Sequence, residues 1–138
     1  MEQLIKKENF YVRVNHGYDL TIEEKIERVI EEICFVSRIR RAVLLGPSRK
    51  SEVVTWRHLG VYICCVNNYG SLKTIGFQFG GRDHSSIIHG RDKTQDLIDC
   101  NDHILIPKYQ QVKHIILDQT NLTPKWQTKL PRKHGFTI

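Results

Sequence analysis

Residues 79–91 read FGGRDHSSIIHGR, a pair of glycines followed by an arginine, an aspartate and a histidine. The glycines predict a tight break in the chain, because glycine adopts backbone conformations that a Cβ disfavours. Asp83 is a good N-cap for a helix that begins directly after it. Arg82, Asp83 and His84 could form a catalytic triplet, a metal site or the reading end of a DNA-recognition helix.

The segments on either side of the glycines predict two short helices. Ser71 is suited to cap the first, which carries Leu72, Ile75 and Phe79 on one face. The second runs from Asp83 to about residue 100. Two such helices joined by a tight turn form a helix-turn-helix, and the N-terminal residues of its second helix enter the major groove of DNA. Three aspartates lie two turns into this helix and would repel a duplex, so we expect an end-on contact.

The other readings of the triplet have less support. His89 lies five residues after His84, about 140° around a helix, so the two imidazoles cannot easily share a metal ion. Asp83 and His84 have no second carboxylate or nucleophile at a diagnostic spacing. Taken alone, the triplet is explained equally well by a purely structural role, in which Asp83 caps the helix and His84 is solvated. The helix-turn-helix context favours the DNA reading, since arginine pairs with guanine and aspartate accepts from cytosine.

Further helices are predicted before this motif. Thr21 and Glu24 have the spacing of a capping box, and an apolar stripe follows, so we expect a helix over 22–35. A short helix over 39–45 ends at Gly46, and the basic loop 48–51 leads into a second long helix over 52–67. The residues NFYVRV near the N-terminus give a weak strand signal. VKHIIL, from residue 112, fits a helix or a strand.

Charge is distributed unevenly along the 138 residues. Residues 1–36 hold five Lys/Arg and eight Asp/Glu, a net charge of −3, whereas residues 37–138 hold sixteen and seven, a net charge of +9. This pattern is typical of a protein with a polyanionic partner, although a basic surface without a partner has the same pattern. The four cysteines include no CxxC pair, which argues against a zinc site or a disulfide framework and favours a reducing compartment.

Nucleotide, membrane and export functions are not indicated. AVLLGPSRKSE, residues 42–52, resembles a phosphate-binding loop, but Arg49 stands where the second glycine should be and its side chain would obstruct the phosphates. The opening residues have no apolar core of a signal peptide, and no apolar run approaches the length of a membrane span. We expect no enzymatic activity, no cofactor, no metal and a cytoplasmic, nucleoid-associated location.

The segment LKTIGFQFGGRDHSSIIHG, residues 72–90, closely resembles the signature of the C-terminal DNA-binding domain of the bacterial replication initiator DnaA. The resemblance extends less sharply over 21–101. It implies an all-α helix-turn-helix domain of the DnaA C-terminal, Trp-repressor-like type, with irregular extensions at 1–20 and 102–138. It also implies recognition of double-stranded DNA of DnaA-box type.

The resemblance assigns roles to ten residues. Arg49 matches an arginine that the family inserts into the minor groove, Lys50 belongs to the same loop, and Lys73 falls near the DNA backbone. Arg57 and His58 match phosphate-contacting positions of the long helix. The major-groove cluster is Arg82, Asp83, His84, Ser85 and Ser86.

Three departures from the family pattern affect the expected function. Cys65 replaces a frequent lysine, and the serines at 85 and 86 replace threonines whose methyl groups can touch thymine. The ATPase domain of the initiator is absent, so we expect a stand-alone DNA-binding protein that regulates replication or transcription. The alternative is a protein-interaction module that uses the helix-turn-helix as a scaffold and binds a partner through the acidic first helix or the tail.

Overall fold

The computed structural model describes residues 20–116, which are helical and contain no strand. The helices are α1 (Ile22–Ser37), α2 (Arg41–Leu44), α3 (Ser51–Val66), α4 (Leu72–Gln78), α5 (His84–Asp99), α6 (Leu105–Val112) and a 3-10 helix (Lys113–Ile115). The expected all-α class is confirmed. The weak strand signal near the N-terminus and the last 22 residues of the expected basic extension lie outside the described residues. No helix within 20–116 is long and apolar enough to cross a membrane.

The first helix forms as its local signals predict. The Thr21 hydroxyl accepts from the Glu24 N–H at 3.1 Å, and the Glu24 carboxylate accepts from the Thr21 N–H at 2.9 Å. The capping box therefore satisfies two N–H groups that no helical carbonyl can reach. The helix continues two residues beyond the expected end, to Ser37, and Arg38 closes it with a φ of 61°.

The second long helix, α3, is the centre of the core. The predicted stripe of Val53, Trp56, Leu59, Ile63 and Val66 is buried. Every residue from 59 to 66 is in fact buried, because α1, α4, α5 and α6 all pack around this helix. The two cysteines here behave as the small buried hydrophobes that we expected, whereas the cysteine at the end of α5 is exposed.

The helix-turn-helix is confirmed at the expected place. The Ser71 hydroxyl accepts from the Thr74 N–H at 3.1 Å, and the Asp83 carboxylate accepts from the Ser86 N–H at 2.9 Å. Both glycines of the turn have positive φ, 83° at Gly80 and 75° at Gly81. The first turn of α5 consequently projects from the end of the motif.

The core continues past the expected boundary at residue 101. Leu105, Val112 and Ile115 are buried against the rest of the core. Asn67 donates to the carbonyl of Ile115 at 2.9 Å. Of the segment VKHIIL, which fits either a helix or a strand in the sequence, Val112 ends α6 and Lys113–Ile115 form the 3-10 helix, whereas Ile116 is extended and residue 117 lies outside the described residues. Residues 105–116 complete the core around α1 and α3.

Candidate nucleic-acid interface

The exposed end of α5 presents four polar side chains together. Asp83, His84, Ser85 and Ser86 are all solvent-exposed at its N-terminus. The hydrogen bonds that the backbone and side chain of Ser86 donate hold the pKa of the Asp83 carboxyl below its ordinary value. Asp83 is therefore an ionised acceptor at neutral pH. The first-turn N–H groups and the positive end of the helix dipole lie in the same place and favour an anion such as phosphate.

The segment between α2 and α3, residues 45–50, holds most of the predicted basic loop and is called the loop from here on; it lies directly beside the helix-turn-helix turn. A Cβ on Gly80 would stand 2.2 Å from the carbonyl oxygen of Leu45, so the two backbones are in contact there. Arg49 and Lys50 are exposed at the far end of this loop, and Lys73 is exposed on α4. The structure thus provides exposed cations on the loop and on α4. The exposed polar end of α5 lies near the loop, because the turn before α5 contacts the loop at Gly80.

Arg57 is placed differently from its expected role. Its side chain is buried, with 5% of the residue surface exposed. Its Nε donates to the Leu44 carbonyl at 2.7 Å, and its Nη2 donates to the carbonyls of Gly46 and Ser48 at 3.1 and 3.0 Å. Because the guanidinium is occupied by the backbone of the loop, the geometry does not support the phosphate contact expected of Arg57.

Arg82 also binds the loop and does not point freely into solvent. Its Nη1 donates to the carbonyls of Leu45 and Phe79 at 3.0 and 2.5 Å, and its Nη2 donates to Gly46 at 2.7 Å. Partial burial lowers the pKa of this guanidinium. Arg82 is therefore placed differently from its neighbours in the expected major-groove cluster, whose side chains are exposed.

His58 carries no charge at neutral pH. Burial first, and then the neighbouring His89, Arg57, Lys93 and Arg82, together lower its pKa to about 4. The imidazole meets the ring of His89 edge-on, with 5.8 Å between the ring centroids. An uncharged, half-buried imidazole is a poor phosphate ligand, so the geometry does not support the role expected of His58 either.

The lowered pKa of His58 predicts that the fold weakens in mild acid. Between pH 6.5 and about 4 the unfolded chain binds a proton that the folded chain does not, so stability is full above this window and falls as the pH decreases through it. The free energy of unfolding of the wild type should therefore fall between about pH 7 and 4.5. We expect this fall to be smaller in His58→Gln by roughly 1–2 kcal/mol, a figure reduced to allow for the partial exposure of the imidazole. Urea unfolding of both proteins across this range measures the difference, and parallel curves would contradict the prediction.

Residues 26–94, which are 69 of the 138 residues, match the family described as the bacterial dnaA protein helix-turn-helix. The chain belongs to this family. The matched DnaA-type helix-turn-helix is a non-catalytic, DNA-binding module. The described part of the chain holds no group of three or more His, Cys, Asp or Glu side chains that could bind a metal ion.

The chain is similar to curated proteins named chromosomal replication initiator protein DnaA. It is 33% identical to that of Thermomicrobium roseum over 78 residues, which are 56% of this chain and 17% of the relative. It is 33% identical to that of Mesorhizobium japonicum over 96 residues, or 70% and 19%. The chain therefore spans less than a fifth of the length of these relatives. No solved structure is a significant match.

Gly90 on α5 lies against His58 of α3. A Cβ at Gly90 would lie 2.7 Å from Cδ2 of His58. Glycine here leaves room for the imidazole between α3 and α5. The two positions are therefore sterically linked.

Sequence reasoning missed that Arg57 and Arg82 bind the loop. One signal was present, because Arg57 lies four residues after Val53 and three before Gly60, on the buried side of α3. An arginine in an apolar stripe must find acceptors, since a buried charge without partners is costly. Nothing in the sequence identifies those acceptors as the carbonyls of residues 44–48.

Proposed function

We propose that residues 20–116 bind double-stranded DNA of DnaA-box type in a sequence-specific manner. The observation that carries this proposal is the exposed row Asp83, His84, Ser85 and Ser86 at the N-terminus of α5. A helix-turn-helix inserts this end of its second helix into the major groove. The ionised Asp83 accepts from cytosine N4, and the serine hydroxyls donate or accept at base edges.

Three exposed cations supply the sequence-independent part of the affinity. Lys50 and Lys73 neutralise phosphates, and Arg49 enters the adjacent minor groove. These contacts set the register of the protein on the duplex, whereas the end of α5 reads the bases. Arg57, Arg82 and His58 support these residues from within the domain and do not touch the DNA.

The biological setting that we infer is control of replication or transcription by a DnaA-like DNA-binding domain on the bacterial nucleoid in the cytoplasm. The names of the relatives, chromosomal replication initiator proteins, favour replication. A second function, binding of a protein partner through α1, is favoured by the 79% exposure of Phe35 on that helix. Binding to duplex DNA separates the two functions.

A binding titration tests the proposed function. Duplexes selected from a random library provide a preferred site, and a scrambled duplex provides the reference. We expect His84→Ala and Asp83→Asn each to lower the ratio of the two affinities by roughly 5- to 50-fold, because each removes contacts to base edges. Asparagine is chosen at position 83 because it still caps a helix.

Lys93→Ala is the matched control, since Lys93 is exposed on the same helix but about 15 Å further along it. We expect this variant to keep the wild-type preference. Thermal melting of each variant confirms that it is folded. If His84→Ala and Asp83→Asn both keep the full preference while folded, α5 does not read the sequence.

A further inference from the structure

We propose that Arg57 and Arg82 are positioning residues that fix the loop to the first turn of α5, so that loop and helix engage DNA as one rigid unit. This inference rests on the proposed function. The carbonyl staple, as we name it, consists of these two guanidiniums and the carbonyls of Leu44, Leu45, Gly46 and Ser48. It is a role that differs from direct contact with phosphate or base.

The two arginines approach the loop from different elements. Arg57 comes from α3, which follows the loop, and Arg82 comes from the turn before α5. Both donate to the same carbonyl, that of Gly46, at 3.1 and 2.7 Å. The shared acceptor ties three parts of the chain to one point.

The loop needs these donors because of how α2 ends. A helix leaves its last carbonyls without helical partners, and α2 has only four residues. Both guanidiniums bring a positive charge to the negative end of this helix, where cations are favoured. A guanidinium also donates several hydrogen bonds in a fixed plane, which a lysine ammonium does not reproduce.

Close packing against the turn also restricts the position of the loop backbone. A Cβ on Gly80 would lie 2.2 Å from the Leu45 oxygen and 2.7 Å from Nη1 of Arg82. The loop backbone thus rests on the turn with no space between them. Arg49 and Lys50 follow this fixed segment directly, so the staple determines where their side chains begin relative to Asp83 and His84.

A double-mutant cycle with Arg82→Lys and Arg49→Ala tests the coupling, since lysine keeps the charge but loses the planar set of donors. If Arg82 acts through the loop, Arg82→Lys lowers affinity for the preferred duplex by roughly 10-fold. Arg49→Ala then lowers that affinity far less in the Arg82→Lys protein than in the wild type. Arg82→Lys combined with Lys73→Ala is the control. Lys73 is on α4, outside the loop, so we expect these two effects to multiply.

Hydrogen exchange on the free protein gives a second readout that needs no DNA. We expect the amides of residues 45, 46 and 48–50 to exchange about 10-fold faster in Arg82→Lys, while those of α1 and α3 keep their rates. Arg57 is buried and its replacement endangers the fold, so Arg82 carries the test. If the protein binds no duplex, the proposed function is contradicted. The exchange rates still test whether Arg82 fixes the loop, because they are measured without DNA.

Three outcomes would overturn the staple. The first is a multiplicative effect of Arg82→Lys and Arg49→Ala. The second is an unchanged exchange rate in the loop. The third is a change of preference at a single base pair in Arg82→Lys, which would identify Arg82 as a direct reader of sequence.

Discussion

Replacing Gly80 by alanine is expected to lower affinity for the preferred duplex by about 100-fold or more while the protein remains helical. The positive φ of 83° disfavours any Cβ at this position, at about 1 kcal/mol. The new methyl group would also lie 2.2 Å from the Leu45 oxygen and 2.7 Å from Nη1 of Arg82. The turn and the loop must therefore separate, and the contacts on both sides of the junction are lost together. Circular dichroism and a DNA titration on the same sample measure the two effects.

Gly81→Ala is the matched control for this prediction. Gly81 also has a positive φ, 75°, but a Cβ there would meet no atom within 4 Å. We expect the free energy of unfolding to fall by about 1 kcal/mol and the affinity to change by less than about 5-fold, because the loop stays in contact with the turn. Equal losses of affinity in the two variants would show that backbone conformation, and not the close approach at Gly80, positions the reading helix.

The parts of the fold that could be predicted depend on signals between residues close in sequence. Thr21 and Glu24, Ser71 and Thr74, and Asp83 and Ser86 are pairs three residues apart. A capping hydroxyl or carboxylate therefore identifies a helix start without knowledge of the tertiary structure. The same holds for the positive φ of Gly80 and Gly81, which is local to the turn, whereas the contact between Gly80 and the Leu45 carbonyl is not local.

The roles that could not be predicted depend on partners far apart in sequence. Arg82 binds carbonyls 36 and 37 residues earlier, and Arg57 binds carbonyls 9 to 13 residues earlier. The basic character of these residues suggested phosphate contacts, but charge alone does not distinguish an external partner from an internal one. The phosphate contact expected of His58 rests on the same kind of signal, whereas the pKa of His58 depends on burial between α3 and α5.

The difference between the boundary expected at residue 101 and the observed core also depends on contacts between residues far apart in sequence. The change in composition after α5 suggested an extension, whereas the apolar residues of 105–116 fill space between α1 and α3 that only the tertiary structure defines. A DNA-binding unit that ended at 101 would lack the contacts of α6. This segment lies beyond the 26–94 match to the family and is nevertheless part of the same core.

Leu105→Ala is expected to lower the free energy of unfolding of the whole domain by about 2–5 kcal/mol. Leu105 is 1% exposed, so the substitution removes buried methyl groups and leaves a cavity. Ile104→Ala is the matched control, because its neighbour Ile104 is 56% exposed. We expect a change within about 0.5 kcal/mol for that variant. Asp102 accepts from the N–H groups of both residues, and neither substitution alters these bonds.

Urea unfolding tests this prediction when it is followed by the fluorescence of Trp56, which reports on the centre of the core. Trp56 is on α3 and is 3% exposed. A Trp126→Phe background makes it the sole indole, since the chain has two tryptophans. If α6 belongs to one cooperative unit with α3, Leu105→Ala shifts the Trp56 transition and the far-ultraviolet transition together. A Trp56 transition that stays at the wild-type midpoint would mean that residues 102–116 unfold separately, and that the DNA-binding core ends where the sequence alone suggested.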